Sequence, residues 1–114
     1  MFKAVILLRR KPGLSPEEFV IAMRVHVQPL ISRFPGMQRM VVSEAVAGPG
    51  GDPPYDIMAE IWLETIDDVR ALTCSEITRT AETELAKYCD MDSYQTFLTV
   101  ERKISEMATG GGVV

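Results

Sequence analysis

His26 is the only histidine of the 114-residue chain, and its spacing predicts that it interrupts an apolar helix face. Residues at i, i+3, i+4 and i+7 line one side of a helix, and from Phe19 onward this stripe is Phe19, Ala22, Met23, His26, Val27 and Leu30. Burying an unpartnered polar ring costs about 1–3 kcal/mol, so we expect the imidazole to have a polar partner, to border a cavity, or both. A neutral imidazole can take a proton from a carbon next to a carbonyl and return it elsewhere. His26 is therefore the candidate general base, and a hydrogen-bonded core histidine is the alternative.

Two carboxylates and a tryptophan share one face of a predicted strand. Asp56 and Glu60 are separated by an even number of residues, so they point the same way, and Trp62 follows on that face. A carboxylate there could orient His26 or act as an acid. Pairing with Arg39 or Lys103, or a place in a subunit interface, is the alternative. Because large aromatic side chains dominate buried area, Trp62 is predicted to pack in the core or in an interface.

The two cysteines predict neither a metal site nor a disulfide. Cys74 and Cys89 do not have Cys-x-x-Cys spacing, and one histidine is too few for the common zinc motifs. Two buried thiols are the expected outcome. Cys74 as a nucleophile is a weaker hypothesis, since no neighbour in the sequence would activate its thiol.

Composition predicts a single globular domain. Hydrophobic residues make up 46% of the chain and charged residues 25%, and the net charge of −4 provides no basic field for nucleic acid or anionic lipid. No apolar run approaches the roughly 20 residues that cross a bilayer, and the amino-terminal stretch is typical of a strand rather than a signal peptide. We therefore expect a cytoplasmic protein with neither a nucleic-acid nor a membrane partner.

The helix that carries His26 has a clear start and an interruption. Ser15 can cap it, Pro16 suits its first position, and Glu18 completes a capping box. Pro29 lies inside the helical pattern, where it lacks an amide hydrogen and crowds the carbonyl of Val25. The sequence therefore predicts a kink or a freed carbonyl one turn after His26, or simply a helix that curves over a sheet.

The remaining patterns complete a six-element order. Strands are predicted at 2–8, 38–46, 55–63 and 95–100, with a short and a longer helix that separate near Ser75 between the last two. The order strand, helix, strand, strand, helix, strand is that of a ferredoxin-like βαββαβ protomer, an α+β fold with a four-stranded antiparallel sheet. Helices on one face leave the other face apolar and uncovered, so a second subunit is expected to cover it. We assign the domain to residues 1–104 and a loose tail to 105–114.

Four stretches in register resemble the EthD family of dimeric α+β barrels. The similarity runs from residue 2 to about residue 103, and the stretches are 8–19 (LRRKPGLSPEEF), 26–30 (HVQPL), 35–39 (PGMQR) and 53–62 (PPYDIMAEIW). The resemblance implies a protomer that dimerises sheet to sheet into an eight-stranded barrel, with a small cavity between sheet and helices. Members and fold relatives include proteins of ether breakdown, muconolactone isomerases, polyketide cyclases and cofactor-free monooxygenases, so the family alone does not name a reaction.

One position departs from the family pattern. Met40 stands where the family usually has an aromatic residue, commonly tyrosine, which leaves Tyr55 as the nearest phenol in the motifs. With Asp56, Glu60 and Trp62, these two residues are our candidates for substrate binding. Whether they reach a cavity depends on which face of their strand looks toward the helices.

The resemblance and the histidine together predict a small enzyme. We expect it to act without cofactor on a hydrophobic carbonyl, lactone or aromatic compound, by isomerase, cyclase or monooxygenase-type chemistry, with His26 as general base. The alternative is a non-catalytic dimer that binds a metabolite or supports an oxygenase or degradation system. Haem binding through His26 is a third hypothesis.

Overall fold

The computed structural model describes residues 1–102 of the chain. Lys103, the end of the expected domain at 104 and the expected tail at 105–114 lie outside this range. In chain order the elements are β1 (Phe2–Leu8), α1 (Pro16–Ala22), a π-helical segment (Met23–Val27), α2 (Gln28–Ile31), β2 (Met37–Glu44), β3 (Ile57–Leu63), α3 (Ile66–Thr73), α4 (Glu76–Leu85) and β4 (Gln95–Val100).

The four strands form one antiparallel sheet in the order β2-β3-β1-β4. Ala4 in the centre of β1 lies opposite Ile61 of β3 on one side and Leu98 of β4 on the other. The ferredoxin-like fold and its element order are therefore confirmed. β1 and β4 have the predicted bounds, whereas β2 is shifted toward the amino terminus and β3 begins two residues later than predicted, after Tyr55 and Asp56.

The register of the sheet fixes which residues face the helices. Ile57, Ala59, Ile61 and Leu63 of β3 are all buried, while the alternate residues Met58, Glu60 and Trp62 are partly exposed. Paired residues of an antiparallel sheet point to the same side, so the pairing partners of the second set share its face. This other side, called the open face from here on, carries Lys3, Val5, Arg39, Val41, Met58, Glu60, Trp62, Phe97 and Thr99.

Two apolar clusters join the sheet to the helices. One surrounds Phe19 and contains Leu8, Ile57 and Cys89; the other contains Ile61, Leu63, Leu72 and Ala81. Phe19, Leu63 and Cys89 have no exposed surface. The partly buried Val27 contacts both clusters, so the helix that carries His26 spans the gap between them.

The start of this helix is built as the sequence predicts. The Ser15 hydroxyl accepts a hydrogen bond from the Glu18 amide at 3.1 Å, and a Glu18 carboxylate oxygen accepts one from the Ser15 amide at 3.3 Å. Gly13, in the preceding turn, has a φ of 95°, a left-handed conformation that favours glycine. Thr65 and Asp68 form a second capping box at the start of α3, and the Ser75 hydroxyl accepts a hydrogen bond from the Thr78 amide at the start of α4, which confirms the predicted separation of these helices near Ser75.

The main departure from the prediction is the π-helical segment. The Gln28 amide donates to the Met23 carbonyl five residues back instead of four. The segment ends immediately before α2, in which Pro29 has no amide hydrogen to donate and would crowd the carbonyl of Val25. One extra residue in the turn rotates the downstream residues by about 100°, the angle between successive helical residues. The predicted kink is thus a widened helical turn.

The widened turn changes the side of the helix on which His26 lies. His26 is exposed to solvent, so the prediction that it lies on the buried side of the helix is wrong. The residues of the apolar stripe are instead Phe19, Met23, Val27 and Ile31, spaced by four throughout. Among residues 1–102, none of the helices has the length and apolar character required to span a membrane.

Candidate functional site

A cavity of about 170 Å³ lies between the sheet and the helices, and most of its lining is apolar. From the sheet it is lined by Ala4, Ile6, Leu8, Met40, Val42, Ile57, Ala59, Ile61 and Thr96. From the helices it is lined by Met23, Val27, Gln28, Ile31, Leu72, Thr73, Thr78, Ala81, Glu82 and Leu85, and Tyr94 lies just before β4. A concave apolar site with a few polar groups is the usual form of a small-molecule site.

Two of the polar residues that line the cavity are engaged with the backbone. The Thr73 hydroxyl donates to the Val69 carbonyl at 2.9 Å, and the Thr78 hydroxyl donates to the Leu72 carbonyl. These bonds satisfy their donors inside α3 and the α3–α4 connection. The Thr73 hydroxyl therefore stabilises the end of α3, and the Thr78 hydroxyl links α4 to α3.

The other polar groups of the cavity are Gln28, Glu82, Tyr94 and Thr96. Within residues 1–102 their side chains form no hydrogen bond with other protein groups, so they can bind a ligand. Glu82 is exposed although it lines the cavity, which puts it at the opening, whereas Tyr94 is partly buried. A carboxylate, a phenol and an amide thus come from three different elements.

The surroundings of Tyr94 keep its phenol neutral. Burial is the larger cause that raises the pKa of Tyr94, and the negative charge of Glu82 raises it further. The phenol is therefore a hydrogen-bond donor over the whole physiological range. The second cause also indicates that the Glu82 carboxylate is close enough to influence the Tyr94 hydroxyl.

His26 lies outside this cavity. Its ring stacks on Tyr88 with centroids 5.7 Å apart and planes 10° from parallel. Next to this pair, Lys87 binds a Glu84 carboxylate oxygen at 2.8 Å. This hydrogen bond is the main cause that lowers the pKa of Glu84, and the nearby His26 lowers that pKa by a smaller amount. The structure thus gives the imidazole an aromatic neighbour and a nearby acidic group on the outer side of the helices.

Of the predicted substrate-binding residues, only Met40 lines the cavity. Glu60 and Trp62 point to the open face, because the buried set of β3 is the alternate one. Asp56 accepts hydrogen bonds from the backbone amide and the guanidinium of Arg10, so its carboxylate anchors the end of β1. Tyr55 is partly buried and precedes the strand without lining the cavity.

Charged groups of the open face surround Trp62. Lys3 binds Glu60 at 2.9 Å and lies 5.4 Å from the Trp62 ring, and the Arg39 guanidinium lies 4.6 Å from the same ring. The indole nitrogen donates to a Glu101 carboxylate oxygen. Glu60 thus pairs with Lys3 and not with Arg39, and Lys103, the other partner considered for these carboxylates, lies outside the described residues. Glu60 and Trp62 belong to this surface cluster and lie on the opposite side of the sheet from the cavity.

Sequence reasoning missed Gln28, Glu82 and Tyr94. Tyr94 could have been found from its even spacing with Thr96, which continues the helix-facing side of β4. Glu82 lies four residues after Thr78, beside the apolar stripe of α4, and this spacing is a weaker signal. Gln28 could have been found only by predicting the π-helical turn.

The cysteines differ in their environments. Cys89 is fully buried, and this burial is the main cause that raises the pKa of its thiol, whereas Cys74 is exposed. The prediction of two buried thiols is therefore correct for Cys89 and wrong for Cys74. In the part of the chain that the structure describes, no three His, Cys, Asp or Glu side chains form a group that could hold a metal ion.

A family model for the EthD domain matches residues 11–97. The chain belongs to the EthD domain family. Among solved structures, an ethyl tert-butyl ether D (EthD) family protein from Bacillus halodurans superposes with a TM-score of 0.75 at 18% sequence identity, over 90% of this chain and 100% of that one. A search of curated proteins found no match.

Two further structures share the fold of this EthD domain. The cofactor-independent oxygenase SnoaB from Streptomyces nogalater has a TM-score of 0.66 at 16% identity, with 90% of this chain and 93% of that one covered. A dimeric ferredoxin-like protein of unknown function from Thermobifida fusca has a TM-score of 0.65 at 16% identity, with 88% and 90% covered. At these identities the likeness establishes the fold alone.

Proposed function

We propose that this EthD domain is a small enzyme that works without a cofactor on a hydrophobic carbonyl, lactone or aromatic compound bound in the cavity. The observation that carries the proposal is an apolar chamber of about 170 Å³ in which a carboxylate, a phenol and an amide are available to a ligand. Isomerase, cyclase or monooxygenase-type chemistry fits such a site, because each can proceed by moving a proton at a carbon next to an oxygenated group. The oxygenase among the proteins of similar fold supports the same class.

The test compares turnover in two variants that carry the same substitution at different places. Val42→Phe fills the cavity from β2, and Val25→Phe makes the same change on the exposed outer side of the π-helical segment. Purified wild type is incubated with a small lactone and with a quinol, with no added cofactor, and circular dichroism checks each fold. We expect conversion by wild type and Val25→Phe and its loss in Val42→Phe. Equal conversion by the two variants would contradict the proposal.

A non-catalytic role is the second candidate, and the scarcity of polar groups in the cavity lining favours it. The chain would then be a dimer that holds a hydrophobic metabolite or supports an oxygenase or degradation system. Binding of the lactone or quinol that Val42→Phe abolishes, without any conversion by wild type, is the result that identifies this role.

We propose a homodimer in which two open faces pack against each other and close an eight-stranded barrel. Phe97 on this face is 49% exposed, and the face carries both positive side chains, Lys3 and Arg39, and negative ones, Glu60 and Glu101. A surface with both charges can complement its own copy across a twofold axis. Proteins of this fold are described as dimeric, which supports the proposal. A cytoplasmic location stays a prediction from the sequence.

The general-base role of His26 stays an expectation from the sequence, and the position of its ring outside the cavity argues against it. To act on a ligand in the cavity, the imidazole would have to give up its stacking on Tyr88, and the π-helical segment would have to rotate to bring the ring to the cavity side. The His26→Ala variant tests the role directly when its conversion of the lactone and the quinol is compared with that of wild type.

A further inference from the structure

We infer that Glu82 and Tyr94 are the acid–base pair of the cavity and that its substrate is a small cyclic carbonyl compound with an acidic C–H group next to the carbonyl. The Glu82 carboxylate would take the proton from that carbon, and the Tyr94 hydroxyl would bind the carbonyl oxygen. The inference rests on the proposed function and names its residues and substrate class.

The geometry singles out these two groups. Both line the same cavity from separate elements, Glu82 from α4 and Tyr94 from the approach to β4. The hydroxyls of Thr73 and Thr78 already donate to backbone carbonyls, so they are poor donors for a ligand. Within residues 1–102, Glu82 is the only carboxylate that lines the cavity.

Their environments suit opposite tasks. Glu82 lies at the solvent-exposed opening, whereas Tyr94 is partly buried, and this burial raises the pKa of its phenol and keeps it protonated. A carboxylate can accept a proton, and a neutral phenol can donate a hydrogen bond to an oxygen atom. The Gln28 amide on the facing helix can supply a second donor to the same oxygen.

The chemistry balances without an oxidant or a second reactant. The C–H bond next to the carbonyl breaks, its proton moves to a Glu82 oxygen, and its electron pair forms a carbon–carbon double bond. The carbonyl oxygen gains the negative charge and accepts a hydrogen bond from the Tyr94 hydroxyl. Return of the proton from Glu82 to a different carbon of the conjugated system restores the carboxylate and completes an isomerisation.

The volume limits the size of the substrate. An engineered apolar cavity of about 150 Å³ binds benzene, so a chamber of similar volume accepts one six-membered ring. The lining residues Ala4, Ala59 and Ala81 place small side chains around this space. A monocyclic β,γ-unsaturated ketone or lactone therefore fits both the volume and the available groups.

The experiment measures isomerisation of 3-cyclohexen-1-one to the conjugated 2-cyclohexen-1-one by ultraviolet absorbance. Glu82→Gln and Tyr94→Phe remove only the proton-transfer group and the hydroxyl. Their matched controls are Glu84→Gln, two residues away on α4 and paired with Lys87, and Tyr88→Phe, which lies outside the cavity. We expect kcat/KM to fall by about 100-fold or more in each cavity variant, the usual effect of losing a general base or an oxyanion donor, and to stay at the wild-type value in the controls.

A binding measurement gives a second readout that does not depend on turnover. 4-Nitrophenolate resembles the enolate, with one anionic oxygen on a six-membered ring. Tyr94→Phe should weaken its binding because a donor is lost, and Glu82→Gln should tighten it because a like charge is removed. Unchanged binding in both variants would overturn the inference.

The outcomes separate the inference from the proposed function. If wild type isomerises the ketone and Glu82→Gln is as fast, the pair is refuted and the enzyme remains. If wild type binds 4-nitrophenolate in the cavity but converts neither the ketone nor the lactone and quinol, the enzymatic function fails and the pair fails with it as a catalytic device.

Discussion

The proposed dimer makes a quantitative prediction at Phe97. This side chain is 49% exposed in the protomer. A phenylalanine buries about 200 Å² when fully covered, so about 100 Å² is left for a partner to cover, worth about 2.5 kcal/mol at 25 cal/mol per Å². A twofold axis repeats the contact, so Phe97→Ala should cost the dimer up to about 5 kcal/mol, or about three and a half orders of magnitude in its dissociation constant.

Sedimentation velocity over a range of concentrations measures this shift. Leu98→Ala is the matched control, because Leu98 is the next residue of β4, is 41% exposed, and points to the helix side of the sheet. We expect Phe97→Ala to sediment as a monomer at concentrations where wild type and Leu98→Ala are dimers. A monomeric wild type, or equal weakening by the two variants, would refute the sheet-to-sheet interface.

The environments of single residues give three further predictions. His26→Ala should keep the wild-type conversion rate in the lactone and quinol assay and change the unfolding free energy by less than about 1 kcal/mol, because the ring is exposed; a large loss of rate would support His26 as the base. In a thiol titration with Ellman's reagent, Cys74 should react at once and Cys89 only after unfolding, because burial raises the pKa of the Cys89 thiol; two fast thiols would contradict this. Asp56→Ala should lower the urea unfolding free energy by about 1–2 kcal/mol by removing the acceptor of two Arg10 hydrogen bonds, and no change would show that water replaces it.

Much of the fold could be predicted because its signals are local. The capping box of Ser15 and Glu18 forms between neighbours, and it appears in the structure as predicted. Alternation along β3 predicts two faces, and in the structure every second residue from Ile57 to Leu63 is buried. What alternation cannot tell is which set meets the helices, since both contain large apolar residues. Because of this ambiguity, the sequence alone leaves Glu60 and Trp62 among the candidates for substrate binding.

The placement of Asp56 and Tyr55 could not be predicted for a related reason. Both precede the regular part of β3, where side-chain direction depends on partners that are distant in sequence. Asp56 is held by Arg10, which is 46 residues away along the chain. When the alternating pattern of β3 is extended back to Tyr55 and Asp56, it assigns each of them to a face of the sheet, although neither belongs to the regular strand.

The prediction that His26 lies on the buried face of its helix fails by a single residue of helical phase, and this has a consequence for the chemistry. In a regular α-helix, two turns take about seven residues and would bring His26 back to the side of Phe19. The π-helical turn before Pro29 contains one additional residue, so His26 does not reach that side. Val27 therefore takes the place in the stripe where the imidazole was expected, and the amide of the next residue, Gln28, lines the cavity beside it. An amide can bind an oxygen atom but cannot take up a proton at neutral pH. If proton transfer occurs in this cavity, the base must come from another element, and Glu82 of α4 is the described carboxylate in position to provide it.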